Sequence, residues 1–253
     1  MTKKIVLLRR FPKHDLEYIV NNLSNYYNII VPEKYSEENL CELVKDADVL
    51  VGNTVSKNVI DAAKKLKIFQ VPGAGVDKID LSIFKNKDIK LCNSHSNSHY
   101  VAEYAIGLMF SLIKKICAND RNMRGGKWLN PKEDAENIPD TIRHKTIGLL
   151  GFGNIGQNIA SLLRSFDIKI LVFDSKKDSY KSKQNISFES LEKVLKESDI
   201  IFNVLPLTKD TKDLIKMKEF LMMKKTSFLI NISRGMIINE KNLFDALENK
   251  IIA

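Results

Sequence analysis

The chain has 253 residues, 44% hydrophobic and 28% charged, which suits one large or two modest globular domains with an ample core. Forty Lys and Arg against 31 Asp and Glu leave a formal charge of +9. The lysines are nevertheless scattered singly and in pairs, and no arginine-rich tract or basic stripe interleaved with aromatics marks a nucleic-acid surface. Three cysteines without a Cys-x-x-Cys exclude a disulfide framework, the apolar core of MTKKIVLLRRFPK is too short for a signal peptide, and no apolar run reaches the ~18 residues of a membrane span. The expectation is a reducing, cytoplasmic setting with neither nucleic acid nor membrane as partner.

Residues 1–92 alternate short apolar runs with helical patterns. Strands are predicted at Ile5–Leu8, Tyr27–Val31, Val49–Val51, Ile68–Val71 and Ile89–Cys92, and helices at Leu16–Leu23, Ser36–Lys45 and Ser56–Leu66. Ser36 followed by glutamates is a helix-start signal, with Leu40, Leu43 and Val44 on one face. Such alternation implies a parallel sheet with helices on both faces. The turn Pro72–Asp77 follows a strand's carboxyl end, where open α/β sheets bind ligands, although it reads equally as a plain connection.

Residues 93–101 are polar. A helix is predicted over Tyr100–Cys117, apolar nearly all round, which implies deep burial or a subunit contact. Asn119–Asp140, with Gly125-Gly126, Trp128 and Pro131, reads as a loop with a little helix. His95 and His99 stand four apart, but no third ligand accompanies them, so no metal is expected.

An apolar run at Thr146–Leu150 then leads into Gly151, Gly153 and Gly156, spaced G-x-G-x-x-G, and into a helical pattern through Ile155, Ile159, Leu162, Leu163 and Phe166. A second strand, Ile168–Phe173, ends on Asp174. Each part has a physical reason. Gly151 permits a tight turn, Gly153 lets backbone approach a pyrophosphate, and Gly156 allows close helix–strand packing, while the helix N-terminus offers free N–H groups to the anion. Asp174, 18 positions past Gly156, stands where a carboxylate can hydrogen-bond an adenosine ribose. Strand, glycine turn, helix, strand and acid together point to dinucleotide binding.

A polar stretch, Ser175–Asn185, is followed by a predicted helix at Ser187–Lys196 and a strand at Ile200–Val204 that Pro206 closes. Thr208–Thr211 reads as the cap of a further helix. Ser227–Ile232 is a strand leading to Ser233-Arg234-Gly235, Glu240–Asn249 is a helix, and Ile251–Ala253 looks like the start of a strand.

With Gly73-Ala74-Gly75-Val76-Asp77, Asn97 ahead of Val101-Ala102-Glu103, the glycine triplet, Asp174, Leu205-Pro206-Leu207-Thr208 and Asn231-Ile232-Ser233-Arg234-Gly235 in this order, the chain resembles the D-isomer-specific 2-hydroxyacid dehydrogenases from about Ile5 to Ala253. The resemblance implies an α/β fold of two doubly wound parallel-sheet domains. A flavodoxin-like substrate domain (1–96) precedes an incomplete Rossmann NAD domain (97–253), with the active site in the cleft between them. It implies NAD as cofactor, a small 2-hydroxy or 2-keto acid as substrate, and a homodimer formed through the helix that starts near Tyr100. Substrate carboxylate would meet the N–H groups of Gly75 and Val76, with Asn97 orienting the loop. Gly151, Gly153, Asn154, Ile155 and Gly156 would hold the pyrophosphate and Asp174 the ribose. Leu205, Pro206, Ile232 and Ser233 would frame the nicotinamide. Arg234 would clamp the carboxylate and the reacting oxygen, since a guanidinium binds bidentately and stays charged. Asp174 favours NAD over NADP because a carboxylate repels a 2′-phosphate, with Lys176 and Lys177 softening that preference.

In the family, the histidine that donates the proton, its glutamate partner and an aspartate for the carboxamide lie past the strand after Arg234. Here the sequence ends at Ala253 and its histidines are His14, His95, His99 and His144. The expectation is therefore an incomplete chain with impaired turnover and with strand Ser227–Ile232 at a sheet edge; a substitute proton donor at His95 or His99 is the lesser reading. The alternative is a non-catalytic NAD-binding sensor or partner-binding module of the co-repressor type.

Overall fold

The computed structural model describes residues 2–128, 130, 138–176, 180 and 185–253. They divide into two compact units, Met1–Ser96 and Asn97–Ala253.

The first unit alternates β1 (Lys3–Leu7), α1 (Lys13–Leu23), β2 (Tyr27–Ile30), α2 (Glu37–Leu43), β3 (Val49–Val51), α3 (Lys57–Ala62), β4 (Ile68–Gln70) and β5 (Lys90–Cys92). The strands are parallel in the order β2-β1-β3-β4-β5. Ser36 and Ser56 start α2 and α3 by accepting the N–H groups of Asn39 and Val59 at 3.4 and 3.3 Å. The third helix stops at Ala62 rather than running to Leu66. The chain bends at Ala63, and this drops both Ala63 and Leu66 into the core. Between β4 and β5 a single 3-10 turn, Leu81–Phe84, replaces a crossover helix and sets Phe84 edge-on to Phe69 at 5.4 Å. Leu7, Val51, Gln70 and Cys92 share one rung, so the connections that follow them leave from a single edge.

The second unit comprises α4 (Ser98–Ile113), α5 (Ile116–Arg124), β6 (Thr146–Leu150), α6 (Asn154–Leu162), β7 (Lys169–Phe173), β8 (Ile186–Phe188), α7 (Leu191–Glu197), β9 (Ile200–Asn203), α8 (Met217–Met222), β10 (Phe228–Asn231) and α9 (Glu240–Glu248). Its sheet is again parallel, in the order β10-β9-β6-β7-β8. The chain walks outward from β6 to β8, then returns to lay β9 and β10 on the other side. That reversal opens a crevice past the carboxyl ends of β6 and β9, where ligands bind in doubly wound sheets. Both faces are covered: Met109, Leu149, Ile159 and Phe202 fill one core and Leu150, Leu171, Ile201 and Phe220 the other.

Several details differ from the sequence expectation. The helix predicted over Tyr100–Cys117 is two helices, broken where Lys115 adopts a left-handed conformation (φ 52°). It is not buried all round: Ala102, Ala105, Met109 and Ile113 face inward, whereas Tyr100 and Tyr104 are exposed. The span predicted as helix Ser187–Lys196 holds the short strand β8 and then α7, because Ser190 caps the N–H of Lys193 at 3.2 Å. Thr208 and Thr211 cap no helix. Thr208 N–H donates to Thr211 Oγ1 at 2.7 Å and Thr211 N–H to Thr208 Oγ1 at 3.2 Å, closing a turn onto the Pro206 carbonyl. The helix α8 waits until Met217, with Glu219 accepting the Lys216 N–H at 3.0 Å. Residues 251–253 form no strand, although the Ala253 N–H reaches the Ser227 carbonyl at 3.2 Å. Pro131 and Lys177 lie outside the described residues.

Within β6, a Cβ on Gly148 would stand 2.5 Å from Ser198 Oγ and 2.9 Å from Val194 Cγ1, so this glycine is what lets α7 lie against the strand. Among the described residues no helix is long and apolar enough to cross a membrane.

Candidate functional site

Register assembles the second unit's site. Asn231, Asn203, Leu150 and Phe173 occupy one rung across β10, β9, β6 and β7. The next residue on each strand is therefore Ile232, Val204, Gly151 and Asp174, and motifs some 80 positions apart in sequence emerge side by side.

The three glycines do three different jobs. Gly151 has φ +101°, and a Cβ there would meet the Val204 carbonyl carbon at 3.1 Å and the Leu205 nitrogen at 3.2 Å. A Cβ on Gly156 would come within 2.5 Å of the Gly151 carbonyl oxygen, so the helix can approach the turn only as glycine. Gly153 is the opposite case. No heavy atom lies within 4 Å of its would-be Cβ, so the backbone is open at the point where a pyrophosphate would approach. No side chain caps α6 there, and the first-turn N–H groups of Asn154 and Ile155 have no acceptor within the helix. The residues present thus fit a dinucleotide's phosphates.

Asp174 closes β7, half-buried, with both carboxylate oxygens engaged: Oδ2 accepts the Phe152 N–H at 2.7 Å and Oδ1 the Lys176 N–H at 2.7 Å. Each oxygen keeps a further lone pair for a sugar hydroxyl. The Phe152 ring meets Tyr180 and Phe188 edge-on at 5.1 and 5.3 Å, and those two stack at 5.6 Å, anchoring the residue that holds the acid. Burial, and then the Asp174 charge, push the Tyr180 phenol above its ordinary pKa.

On the other side of the crevice, the buried Asn203 amide donates to Asn231 Oδ1 at 3.1 Å and accepts the Leu205 N–H at 3.3 Å. Asn231 in turn accepts the Ser233 N–H at 3.1 Å and donates to the Arg234 carbonyl at 3.3 Å. Ser233 Oγ donates to the Leu205 carbonyl. The half-buried Arg234 directs Nη1 to the Ser233 carbonyl at 3.3 Å. Leu205, Ile232, Ser233 and Arg234 are thus gathered by two asparagines, of which Asn203 carried no signal in the sequence beyond a polar residue at a strand end.

In the first unit, Gly75 and Val76 lie in the turn after β4. Among the described residues neither of their N–H groups has an internal acceptor, as an anion site requires. Asn97 is exposed at the start of α4, without a side-chain capping bond. The Gly73–Asp77 turn is held by Asn93, whose Nδ2 donates to the Ala74 carbonyl at 2.9 Å, and by the Ser94 N–H, which donates to the Gly73 carbonyl at 3.0 Å. His95 Nε2 lies 3.4 Å from Asn93 Nδ2, and the His99 ring leans on Tyr100 at 5.1 Å.

Comparison with known proteins agrees with this geometry. The family model described as D-isomer specific 2-hydroxyacid dehydrogenase, NAD binding domain, matches residues 106–253. A glyoxylate reductase of Thermofilum pendens is 34% identical over 224 residues, which cover 86% of this chain and 66% of the relative. A hydroxypyruvate reductase of Thermotoga maritima is 33% identical, covering 85% of this chain and 70% of that protein. Among solved structures, the NAD-dependent formate dehydrogenase of Staphylococcus aureus in complex with NAD superposes with a TM-score of 0.79 at 26% identity, covering 99% of this chain and 79% of that one.

Proposed function

We infer the activity from kinship: the chain belongs to the D-isomer specific 2-hydroxyacid dehydrogenase family, a family of NAD-dependent oxidoreductases, and its second unit is the NAD-binding domain. For this chain we assign reduction of a small 2-keto acid, or oxidation of the matching 2-hydroxy acid, in the glyoxylate, hydroxypyruvate and phosphoglycerate range. The relatives reported above are all oxidoreductases, which favours this reading over a non-catalytic module. What carries it is the pairing of the open Gly153 with an acid already held by the Phe152 N–H.

When bound, the nicotinamide supplies or accepts the hydride. Gly153, Asn154 and Ile155 receive the pyrophosphate through backbone N–H groups and the positive end of α6. Asp174 accepts the ribose hydroxyls, and its negative charge disfavours a 2′-phosphate. Leu205, Pro206, Ile232 and Ser233 line the nicotinamide end. Gly75 and Val76 donate to the substrate carboxylate. Arg234, charged at any working pH, supplies the fork that orients the carboxylate and stabilises charge on the reacting oxygen.

The test is fluorescence titration with NADH of the wild type and Asp174→Ala. Loss of the ribose contacts costs about 1.5–3 kcal/mol, at least ten-fold in Kd. Equal affinity in both proteins, or no binding by either, overturns the reading. Turnover is assayed as NADH oxidation with glyoxylate, hydroxypyruvate and pyruvate.

Two finer assignments belong to the same reading. The exposed Tyr100, Tyr104, Leu112, Ile116 and Met123 along α4 and α5 support a homodimer through this face, and Tyr104→Glu should shift the mass in solution from dimer to monomer. Three free cysteines support a cytoplasmic location, and lysines scattered without a basic stripe argue against a nucleic-acid partner.

A further inference from the structure

The carboxyl edge of the first sheet holds a second concavity, separated from the Gly73–Asp77 turn by the connection after β3. The segments that follow β1 and β2 form an open surface cavity of about 290 Å³ lined by Arg9, Arg10, Phe11, Glu33 and Tyr35, among others. Its size sits at the lower end of ligand pockets, ~300–1,000 Å³, enough for a metabolite but not for a dinucleotide.

Both guanidiniums lie over aromatic rings, and that of Arg9 is hydrogen-bonded as well. Arg9 lies 4.9 Å over the Phe11 ring, donates from Nε to the Arg10 carbonyl at 3.2 Å, and donates from Nη1 to Asn53 Oδ1 at 3.2 Å. Arg10 lies 5.7 Å over the Tyr35 ring, and the Tyr35 hydroxyl donates back to the Arg9 carbonyl at 3.2 Å. Stacking holds the plane of a guanidinium but leaves its N–H edge available. Glu33 lines the same cavity, yet among the described residues neither arginine forms an ion pair with it or with any other carboxylate. Here two guanidiniums rest on aromatic faces with no carboxylate partner among the described residues, an arrangement that suits bidentate recognition of phosphate or carboxylate.

We propose that this cavity is a binding site for a small dianion, a phosphate monoester or a dicarboxylate, held by Arg9 and Arg10 and distinct from the carboxylate turn after β4. Glu33 on its rim opposes the ligand's charge and so sets an upper bound on affinity.

Isothermal titration of the full chain with inorganic phosphate, and in parallel with malonate, tests this with and without saturating NADH. One site that persists in NADH is expected. Arg10→Ala should weaken it at least ten-fold, Arg9→Ala similarly, and Arg10→Lys less than Arg10→Ala because the charge stays and the fork is lost. Glu33→Gln, a change at an exposed rim position, should tighten it several-fold. A response to phosphate alone identifies a monoester site, and a response to both anions a site that reads charge. Heat from neither anion, binding abolished by NADH, or binding indifferent to both Arg10→Ala and Glu33→Gln overturns the proposal.

Discussion

In the second unit the turn after β6 consists of glycine because its neighbours leave no alternative: a Cβ on Gly156 would sit 2.5 Å from a backbone oxygen, and one on Gly151 would press on the chain leaving β9. In the first unit the turn after β4 also carries glycine, yet a Cβ on Gly73 would meet nothing within 4 Å. That turn is held instead by the loop after β5, through Asn93 on the Ala74 carbonyl and the Ser94 N–H on Gly73. One edge is shaped by exclusion and the other by hydrogen bonds reaching it from 19 or more positions away. Exclusion is recorded in residue identity at the turn itself. Hydrogen bonding distributes the same information to a distant residue and leaves the turn tolerant of change.

The sharpest way to break this contrast is to add one methyl group at each edge. Gly156→Ala should destabilise the protein by about 3 kcal/mol, the upper end for overpacking, whereas Gly73→Ala should stay within about 0.5 kcal/mol, both read from urea denaturation midpoints. Equal effects would show that the two turns are specified alike. Gly153→Ala separates folding from binding: with open space around it, stability should be unchanged while NADH affinity falls about ten-fold or more, ~1.4 kcal/mol. Asn93→Ala should cost about 1 kcal/mol and weaken substrate-analogue binding while leaving NADH affinity as it was. The smallest effect is electrostatic. A hydrogen bond from Lys145, and then one from the Thr141 N–H, hold the Asp140 carboxyl below its usual range. The stability this contributes is present above the unfolded-state pKa and is lost as pH falls through the lower native value. The wild type should therefore lose stability more steeply than Lys145→Ala below about pH 4 in acid titration followed by circular dichroism.

What could be read from the sequence follows the same division. The strand–glycine–helix–strand–acid unit was legible because each position tolerates few residue types, and the parallel sheet of the first unit followed from strand–helix alternation, whereas the strand order did not. Asn93 was not legible, since an exposed asparagine in a polar run looks the same whether or not it spans to Ala74. Nor was Asn203, whose role depends on a strand 28 positions away. The break at Lys115 has neither glycine nor proline to announce it. Thr208 and Thr211 satisfy each other's N–H groups with the same oxygens that a helix cap would use, so a closed turn and a helix start share one signature. Strand β8 is three residues long, too short for a period to register.

Gly148 belongs to no signature, yet the space a side chain would need there is already taken by Ser198 and Val194. Even an alanine at 148 would lift a helix off the strand while touching no atom that meets the coenzyme. Such a variant would look like a ligand-affinity mutant in any assay of bulk activity. Only the yield of protein that refolds, set against the unaltered Kd of the fraction that does, would reveal it as an architectural lesion.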